Sequence, residues 1–547
     1  MPSRLSDVAE SGAESPQRSL REVLGSRVGW NILQVLVWIG ASLPILLAKY
    51  APLNDLPSHL ARFEILQRFG DPFVDAFWVS AWAPLANLGA DLLVLGLALF
   101  VPTVLAMKLA LFVIVGIFGS GFARLREEWS GRRDALALLG YPLVFAVPLT
   151  MGFLNYVMGV GLMLWTVALH LRMRGDAFGR YMAIVVPVAL ATAVSHMVAF
   201  AQGLLILSVL ELGGVMSRGR LEPRRVPWAR LVALTILPAV LLAITPKGNG
   251  RGPFYMPPVV GWKIHAFRIA FQSGSAGVDT LLTAGLVIGL ALPMIDGERW
   301  TQSVASLLGL CLALYLVSPF ALYTMNHLDN RQPWVLVTLA FALLAPRSDA
   351  RIRSGKGWLQ ALRTATGLGI GLVVVGRTFV ITRVYLRRSA ELEHLGRDVF
   401  GRLPAGSLML TSYGSYSDFD PNVWEPPLVH AASLGFFYNR LYPNTVFAIR
   451  GQQPLGVHPE FEPLLSVPLF LEPQFPAEGI RYYQRLRERL PERWRERSAY
   501  LFFVGDDRGA VRGEGAELVA HEGRWGLYRL PPVRSAISVP DSVGQSP

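Results

Sequence analysis

The sequence contains very little of three things that soluble proteins of this length normally have. Charged residues make up only 16% of its 547 residues, against about 25% in typical soluble domains. Its single cysteine, Cys311, excludes an intramolecular disulfide framework and a cysteine-rich metal site. Only five of its 51 basic residues are lysine, and it has no Asn-x-Ser/Thr acceptor; this combination favours a bacterial inner membrane over a eukaryotic secretory compartment. Since no GxxxxGK[ST], GxSxG, HExxH or dinucleotide fingerprint is present, nothing in the sequence supports a cytosolic nucleotide reaction.

Long apolar runs dominate the chain. Hydrophobic residues make up 52% of it, and stretches of about 18 or more apolar residues, each able to cross a hydrocarbon core, recur between Gly29 and Val380. Ala83–Phe100 is predicted to lie along the outer membrane surface, because a crossing there would place the following arginine cluster outside, against the positive-inside rule. The remaining segments predict about eleven spans: Trp30–Tyr50, Val101–Ala123, Asp134–Thr150, Phe153–Leu171, Tyr181–Ser195, Met197–Leu212, Val226–Thr245, Val278–Ile295, Ser303–Tyr323, Pro333–Leu344 and Trp358–Val380.

This arrangement predicts a polytopic helical membrane protein with its N-terminus inside and a soluble C-terminal α/β domain outside. Alternating apolar runs at 408–411, 499–504 and 525–529 read as strands, and the charged stretch Arg481–Arg495 reads as a helix. The predicted organisation is a cytoplasmic tail (1–28), a membrane domain (29–382) with a first outer loop (51–100), an outer domain (383–532) and a disordered tail (533–547).

The first outer loop carries one group of candidate site residues. A helix from Pro57 through Phe69 would place an apolar stripe against the membrane interface, with His59 and Arg62 on the opposite face. Asp55 would stand at the helix entrance, where the macrodipole favours a carboxylate. The simpler interpretation is that Asp55 only caps the helix and His59 is a surface residue.

Two later outer segments carry the other candidates. Lys263, His265 and Arg268 share a helix-like stretch suited to an anionic headgroup, or form a solvated basic loop that meets lipid phosphate without specificity. The polar run 326–331 holds His327, Asp329 and Arg331, which either caps two helices or offers a guanidinium for a phosphate.

His196 lies between two short spans, where it is a site candidate unless it is a satisfied core histidine. Asp55, His59, His196 and His327 together offer metal-ligand chemistry, but only the i, i+4 pair Asp55 and His59 has a ligand spacing, so no metal ligand is assigned and a divalent metal stays open.

These features resemble the GT-C superfamily of polytopic glycosyltransferases, which use polyprenyl-phosphate sugars on the non-cytoplasmic face. The resemblance rests on Asp55 soon after the first span, on the outer-surface helices, with Pro84-Leu85 opening the second, and on the outer C-terminal domain. The loop departs from the Asp-Glu or Asp-x-Asp pattern of the best-known branches and is closest to bacterial members with Asp-x-Pro-x-His-Leu-Ala-Arg.

The resemblance implies an inverting transfer of a sugar from a polyprenyl-phosphate donor to the hydroxyl of a glycan or lipid acceptor. Asp55 would be the general base, and Arg331 with Lys263 or Arg268 would bind the lipid phosphate. His59 or His196 would donate a hydrogen bond to that phosphate. The expected partners are the lipid-linked donor, the acceptor and membrane lipids, with no nucleic acid.

Three alternatives stay open. A membrane acyltransferase would use His196 as a base, but its acyl carrier would enter from the cytoplasm, whereas the candidates face outwards. A transporter or flippase predicts inverted repeats and ionisable residues at mid-depth, and only Tyr181–Leu212 hints at this. An inactive GT-C-like scaffold in polysaccharide synthesis is the third.

Overall fold

The computed structural model describes residues 26–216, 228–246, 251–272, 276–295, 300–323, 327–344, 357–413, 428, 430–448, 453–465, 476–505, 515–523 and 525–533. Both predicted tails lie mostly outside these residues. Within the described part, four helices are long and apolar enough to cross a membrane, and they begin at Arg27, Thr103, Leu154 and Phe178. Six shorter apolar helices accompany them.

The first part of the chain forms two long helices separated by the outer loop. Ser26 caps the first helix, since its side chain accepts a hydrogen bond from Gly29 N. The elements are α1 (Arg27–Leu47), α2 (Leu56–Gln67), α3 (Pro72–Asp75), β1 (Trp78–Ser80), α4 (Gly89–Ala98) and α5 (Thr103–Ser130). Helix α4 begins at Gly89, so the expectation that Pro84-Leu85 opens it is wrong; both residues precede the helix.

The predicted span Asp134–Thr150 is wrong as a continuous helix. It consists of a 3₁₀ turn (Ala135–Leu139) and two single-turn helices, α6 (Gly140–Leu143) and α7 (Val147–Thr150). The buried Arg377 explains how this broken segment is tolerated in an apolar setting, because its guanidinium donates to the carbonyls of Pro142, Phe145 and Phe271.

The rest of the membrane part follows the prediction closely, with differences at two ends. Residues 318–323, which the sequence predicts to be part of a span, are not helical, because α14 ends at Val317 and is followed by a short strand. The last predicted span continues as helix to His394. The elements are α8 (Leu154–Met173), α9 (Phe178–Ser195), α10 (Met197–Met216), α11 (Trp228–Ile244), β2 (Arg251–Phe254), α12 (Val259–Ile269), α13 (Ala276–Ile295), α14 (Gln302–Val317), β3 (Ala321–Tyr323), α15 (Gln332–Ala342) and α16 (Gly357–His394).

The C-terminal domain contains a five-stranded mixed sheet, which confirms the predicted sheet-containing domain. The strand order is β5-β4-β7-β9-β8, with β4 parallel to β5 and β7, and with β9 antiparallel to β7 and β8. The predicted helix Arg481–Arg495 is instead two helices, because Pro491 begins a new turn. The elements are β4 (Leu408–Tyr413), α17 (Leu434–Asn439), β5 (Tyr442–Pro443), β6 (Leu455–Val457), α18 (Glu462–Leu465), α19 (Pro476–Glu488), α20 (Glu492–Arg495), β7 (Ala499–Val504), β8 (Glu517–Glu522) and β9 (Trp525–Arg529).

Helix α2 joins the membrane part to this domain. Its Leu56, Leu60 and Phe63 belong to the apolar core of the membrane helices, and its Ala61 and Ile65 belong to the core of the C-terminal domain. Strand β1 also pairs antiparallel with β6. His59 and Arg62 are therefore buried between the two parts, so the simpler interpretation of His59 as a surface residue is wrong.

Candidate active site

Asp55 immediately precedes α2, but its side chain does not cap that helix. The helix start shows no side-chain capping hydrogen bond, although Asp55 occupies the cap position. The backbone of Asp55 is fixed instead, since its N–H donates to Met151 O (3.2 Å) and its carbonyl accepts from His59 N (3.0 Å). Asp55 as a whole is 8% exposed. The simpler interpretation, that Asp55 only caps α2, therefore does not explain why this carboxylate is buried.

The turn between α7 and α8 positions this carboxylate. Asn54 N donates to Thr150 O (2.8 Å), and Gly152 adopts φ +90°. A Cβ at Gly152 would lie 2.7 Å from the Cβ of Asp55. Glycine is therefore required at this position twice, for its positive φ and for the close approach of Asp55.

Arg331 lies on the other side of the same turn. Its guanidinium stacks over the rings of Phe153 (4.1 Å) and Tyr156 (5.2 Å), and one terminal nitrogen lies 3.1 Å from His196 Nε2. Because His196 Nδ1 accepts from Val198 N–H (3.2 Å), Nε2 carries the proton of the neutral ring. Burial lowers the pKa of Arg331 to about 10, and the charges of Tyr156 and Asp55 act in the opposite sense. The carboxylate that follows α1 and the guanidinium that precedes α15 thus lie within electrostatic reach of one another.

His430 from the C-terminal domain faces Asp55. Its Nε2 lies 3.5 Å from Asp55 Oδ1, and its Nδ1 lies 3.1 Å from Thr445 O. Because a carbonyl only accepts, Nδ1 carries the proton that donates to Thr445. Burial lowers the pKa of His430 to about 4, although the Thr445 carbonyl acts against this shift. The ring is therefore neutral at pH 7, and its Nε2 presents a lone pair to the carboxylate.

His59 lies beside this pair. Its Nε2 is 3.0 Å from Gly152 O and donates to it, since a carbonyl cannot donate. Its Nδ1 is buried and has no hydrogen-bond partner among the described residues. Burial, and then the charge of Arg62, lower the pKa of His59, so this ring is neutral as well.

Arg62 is held in a buried network behind the site. Its guanidinium donates to Asp91 on α4 and to Gln453 in the C-terminal domain. Asn155 on α8 donates to the other Asp91 oxygen (2.7 Å). Arg62 therefore joins α2, α4 and the C-terminal domain, where the sequence had suggested a group that binds substrate.

A second buried ion pair holds the turn that contains Arg331. Asp329 Oδ2 accepts hydrogen bonds from Lys263 Nζ (3.0 Å) and Trp262 Nε1 (2.9 Å) on α12. Burial raises the pKa of Asp329, against the stabilising effect of Lys263. Lys263 is thus committed to Asp329.

The remaining predicted residues surround this pair. His327 has φ 56°, and its ring contacts that of Phe320 at 4.6 Å. Burial, with the charge of Arg331, lowers the pKa of His327 to about 3. His265 is half-buried beside Trp262 and Arg268 is exposed, so these two form the more accessible part of α12.

The four residues considered as metal ligands do not assemble into a metal site. Within the described ranges, no three His, Cys, Asp or Glu side chains are grouped so that they could hold a metal ion. Two of the four use a ring nitrogen elsewhere, since His196 Nδ1 accepts from Val198 N–H and His59 Nε2 donates to the Gly152 carbonyl.

Sequence reasoning missed His430 and the turn at Gly152. His430 lies 375 positions after Asp55 in a segment without a recognisable motif, so no spacing rule connects the two. The sequence signal for the turn was Gly152 itself, which lies between two predicted spans.

Comparisons with known proteins show which fold the chain has. No family model matches the sequence, and no curated protein matches it. Among solved structures, the chain is similar to ArnT from Cupriavidus metallidurans in the apo state, with 13% identity, a TM-score of 0.51, and coverage of 92% of this chain and 98% of ArnT. The same protein bound to undecaprenyl phosphate gives 13% identity and a TM-score of 0.48 over 92% of this chain and 99% of ArnT. The chain therefore has the ArnT fold.

Proposed function

We propose that this protein is a membrane glycosyltransferase that moves a sugar from a polyprenyl-phosphate donor to an acceptor hydroxyl, with inversion, and that Asp55 is its general base. The observation that carries the proposal is the buried Asp55 carboxylate, which is not used as a helix cap and lies within electrostatic reach of the Arg331 guanidinium. An inverting transfer needs one carboxylate to take the proton of the acceptor hydroxyl and positive charge to stabilise the departing phosphate.

Arg331 is the group that we assign to the lipid phosphate. A guanidinium offers five donors in a planar fork that matches phosphate oxygens. The rings of Phe153 and Tyr156 fix the plane of this fork. Since Nδ1 of His196 accepts from Val198 N–H, we assign its Nε2–H, beside Arg331, to the same phosphate, as the sequence suggested. Undecaprenyl phosphate, the lipid bound in the ArnT crystal structure, belongs to the carrier class that we propose here.

The other predicted residues support these two. Lys263 and Asp329 hold the turn of Arg331 against α12, and Arg62 holds α2 against α4. His265 and Arg268, on the accessible part of α12, are assigned to the lipid headgroup.

Substitution of the base tests the proposal. The full chain in nanodiscs is supplied with a panel of polyprenyl-phosphate-linked hexoses and pentoses and a mixture of glycan and lipid acceptors, and released polyprenyl phosphate is measured. We expect release by the wild type and a loss of about 10²–10⁴-fold in Asp55→Asn. Binding of undecaprenyl phosphate should survive in Asp55→Asn. Equal release by both proteins would reject Asp55 as the base, and binding without any release would indicate a scaffold.

We also propose that the protein lies in a bacterial inner membrane with the C-terminal domain and the site on the periplasmic face. Labelling of single introduced cysteines tests this topology. In the C-terminal domain, Gly406 is unsuitable for such a cysteine, because it has φ +78° and a Cβ there would lie 2.5 Å from Arg497. In a Cys311→Ala background, Glu517→Cys on the exposed strand β8 should react with an impermeant maleimide from the periplasm. Gly175→Cys, at an open position between α8 and α9, should react only after the membrane is permeabilised; the reverse pattern would invert the topology.

A further inference from the structure

The contact between His430 and Asp55 brings two hydrogen-bond acceptors together. Nδ1–H of His430 is used on Thr445 O (3.1 Å), so Nε2 carries the lone pair that faces Asp55 Oδ1 at 3.5 Å. Two buried acceptors at this distance stabilise each other only when a proton lies between them. The arrangement is thus suited to receiving a proton.

The surroundings of His430 hold the ring in this orientation. The ring packs at 4.9 Å from that of Phe447, whose backbone N–H donates to Ser58 Oγ on α2 (2.8 Å). Thr445 is itself fixed, because its hydroxyl bonds Ser433 Oγ at 2.8 Å. These contacts of Phe447 and Thr445 therefore hold the His430 ring beside Asp55.

The charged groups around the pair are mostly positive or neutral. Arg62 and Arg331 both interact electrostatically with Asp55, and neutral His59 faces His430 across the ring of Phe447. Both guanidinium groups attract the Asp55 carboxylate and neither can accept a proton. A neutral histidine beside Asp55 is a group that can take the proton onward.

We propose that His430 is the proton partner of Asp55 and that the C-terminal domain completes the catalytic base. This inference rests on the proposed function. In the reaction, the acceptor O–H bond breaks while its oxygen bonds the anomeric carbon of the sugar. The bond from that carbon to the phosphate oxygen breaks, and its electron pair leaves with the polyprenyl phosphate. The proton passes to Asp55 Oδ1 and from there to Nε2 of His430.

The test separates this role from a structural one by removing only Nε2, the nitrogen that is proposed to accept the proton. In His430→Asn, the side-chain amide can still donate to Thr445 O in place of Nδ1, while nothing replaces Nε2. We expect release of polyprenyl phosphate by the full chain in nanodiscs to fall by about 10–100-fold, with unchanged binding of undecaprenyl phosphate. The acid limb of the kcat/KM profile should shift in this variant, because in the wild type that limb belongs to the coupled pair.

His458→Asn is the matched control, because it makes the same substitution in the same domain at a histidine whose Nε2 bonds the Asp75 carbonyl (2.9 Å). It should keep both the rate and the pH profile. Wild-type kinetics and profile in His430→Asn would overturn the inference. If His430→Asn does not fold, the wild-type profile decides: two ionisations on the acid limb support the pair, and one contradicts it. An active wild type, an inactive Asp55→Asn and a fully active His430→Asn would reject this inference alone, whereas a wild type without any release would reject the proposed function.

Discussion

Two buried polar clusters at opposite ends of the helix bundle differ in how completely their groups are matched. At the end of α5, Arg126 donates two hydrogen bonds to Asp134 (2.7 and 2.5 Å) and two to the carbonyls of Phe341 and Leu344 (3.0 and 3.1 Å). Donors and acceptors there are matched, and the cluster closes the end of α15.

Around Asp55 the carboxylate accepts from Asn54 Nδ2 (3.3 Å), but two histidine nitrogens are not matched in this way. His430 presents an acceptor nitrogen to a carboxylate oxygen, and Nδ1 of His59 is buried without a partner among the described residues. Matched clusters stabilise a fold, and groups left poised for a further proton or ligand are typical of sites that act on something absent from the structure. We therefore propose that the first cluster stabilises the fold and that the second takes part in the reaction.

The largest expected effect would break the matched cluster. Arg126→Met should lower the free energy of unfolding by about 3–5 kcal/mol, because it leaves Asp134 and two carbonyls without their donor. Thermal melting in detergent measures this loss. Activity per folded molecule should stay at the wild-type level, whereas Asp55→Asn should show the opposite pattern; loss of activity at full stability in Arg126→Met would remove the contrast.

The pH dependence of stability sharpens the contrast from the other side. Because the pKa of His430 is about 4 in the folded protein and about 6.5 when unfolded, the unfolded chain binds more protons below pH 6.5. The unfolding free energy should therefore fall as the pH decreases from about 6.5 to 4, by roughly 1.4 kcal/mol per pH unit, and level off below. His430→Asn should remove this contribution, and melting curves of both proteins between pH 4 and 8 measure it; parallel curves would contradict it.

A smaller effect is expected at the turn that positions Asp55. Gly152→Ala should cost about 1–2 kcal/mol for the positive φ and should also lower kcat, because its Cβ displaces Asp55. Gly131→Ala is the control, since Gly131 has φ +69° and no heavy atom lies within 4 Å of its Cβ position in the described structure. It should show the stability cost with unchanged kcat. Equal kcat in both variants would separate the turn from the chemistry.

The smallest expected effect concerns the phosphate. Arg331→Lys keeps the charge and loses the planar fork, so the Kd for undecaprenyl phosphate should rise about tenfold. Arg387→Lys, at an exposed position of α16, should change it less than twofold. Fluorescence titration of both variants in nanodiscs gives these values, and an unchanged Kd in Arg331→Lys would take this guanidinium away from the phosphate.

The sequence predicted the parts of this molecule whose physics is local or set by the bilayer. Apolar length located the helices, and alternation located β4, β7 and β9. It also singled out Asp55, His196 and Arg331, because ionisable groups beside apolar segments are costly unless they are used. Their grouping around one turn followed from the fold.

Long-range contacts account for what the sequence could not supply. The amphipathic pattern of α2 reads the same for a helix on a membrane as for a helix between two cores, so its burial could not be predicted. Arg377 lies in the last predicted span, and the sequence does not show that its guanidinium donates to carbonyls of the broken segment. His430 reaches Asp55 only because β1 and α2 dock the C-terminal domain, and no local pattern records that docking.

The pairing of β1 with β6 has a consequence for biosynthesis. Trp78 and Phe77 belong to the apolar core of a domain whose sheet begins only at Leu408. The ribosome therefore delivers one edge of this core before most of the helix bundle has been synthesised, and this edge stays uncovered until the C-terminal domain follows. A truncated chain that stops after α16 would leave these two aromatic side chains without the core that covers them.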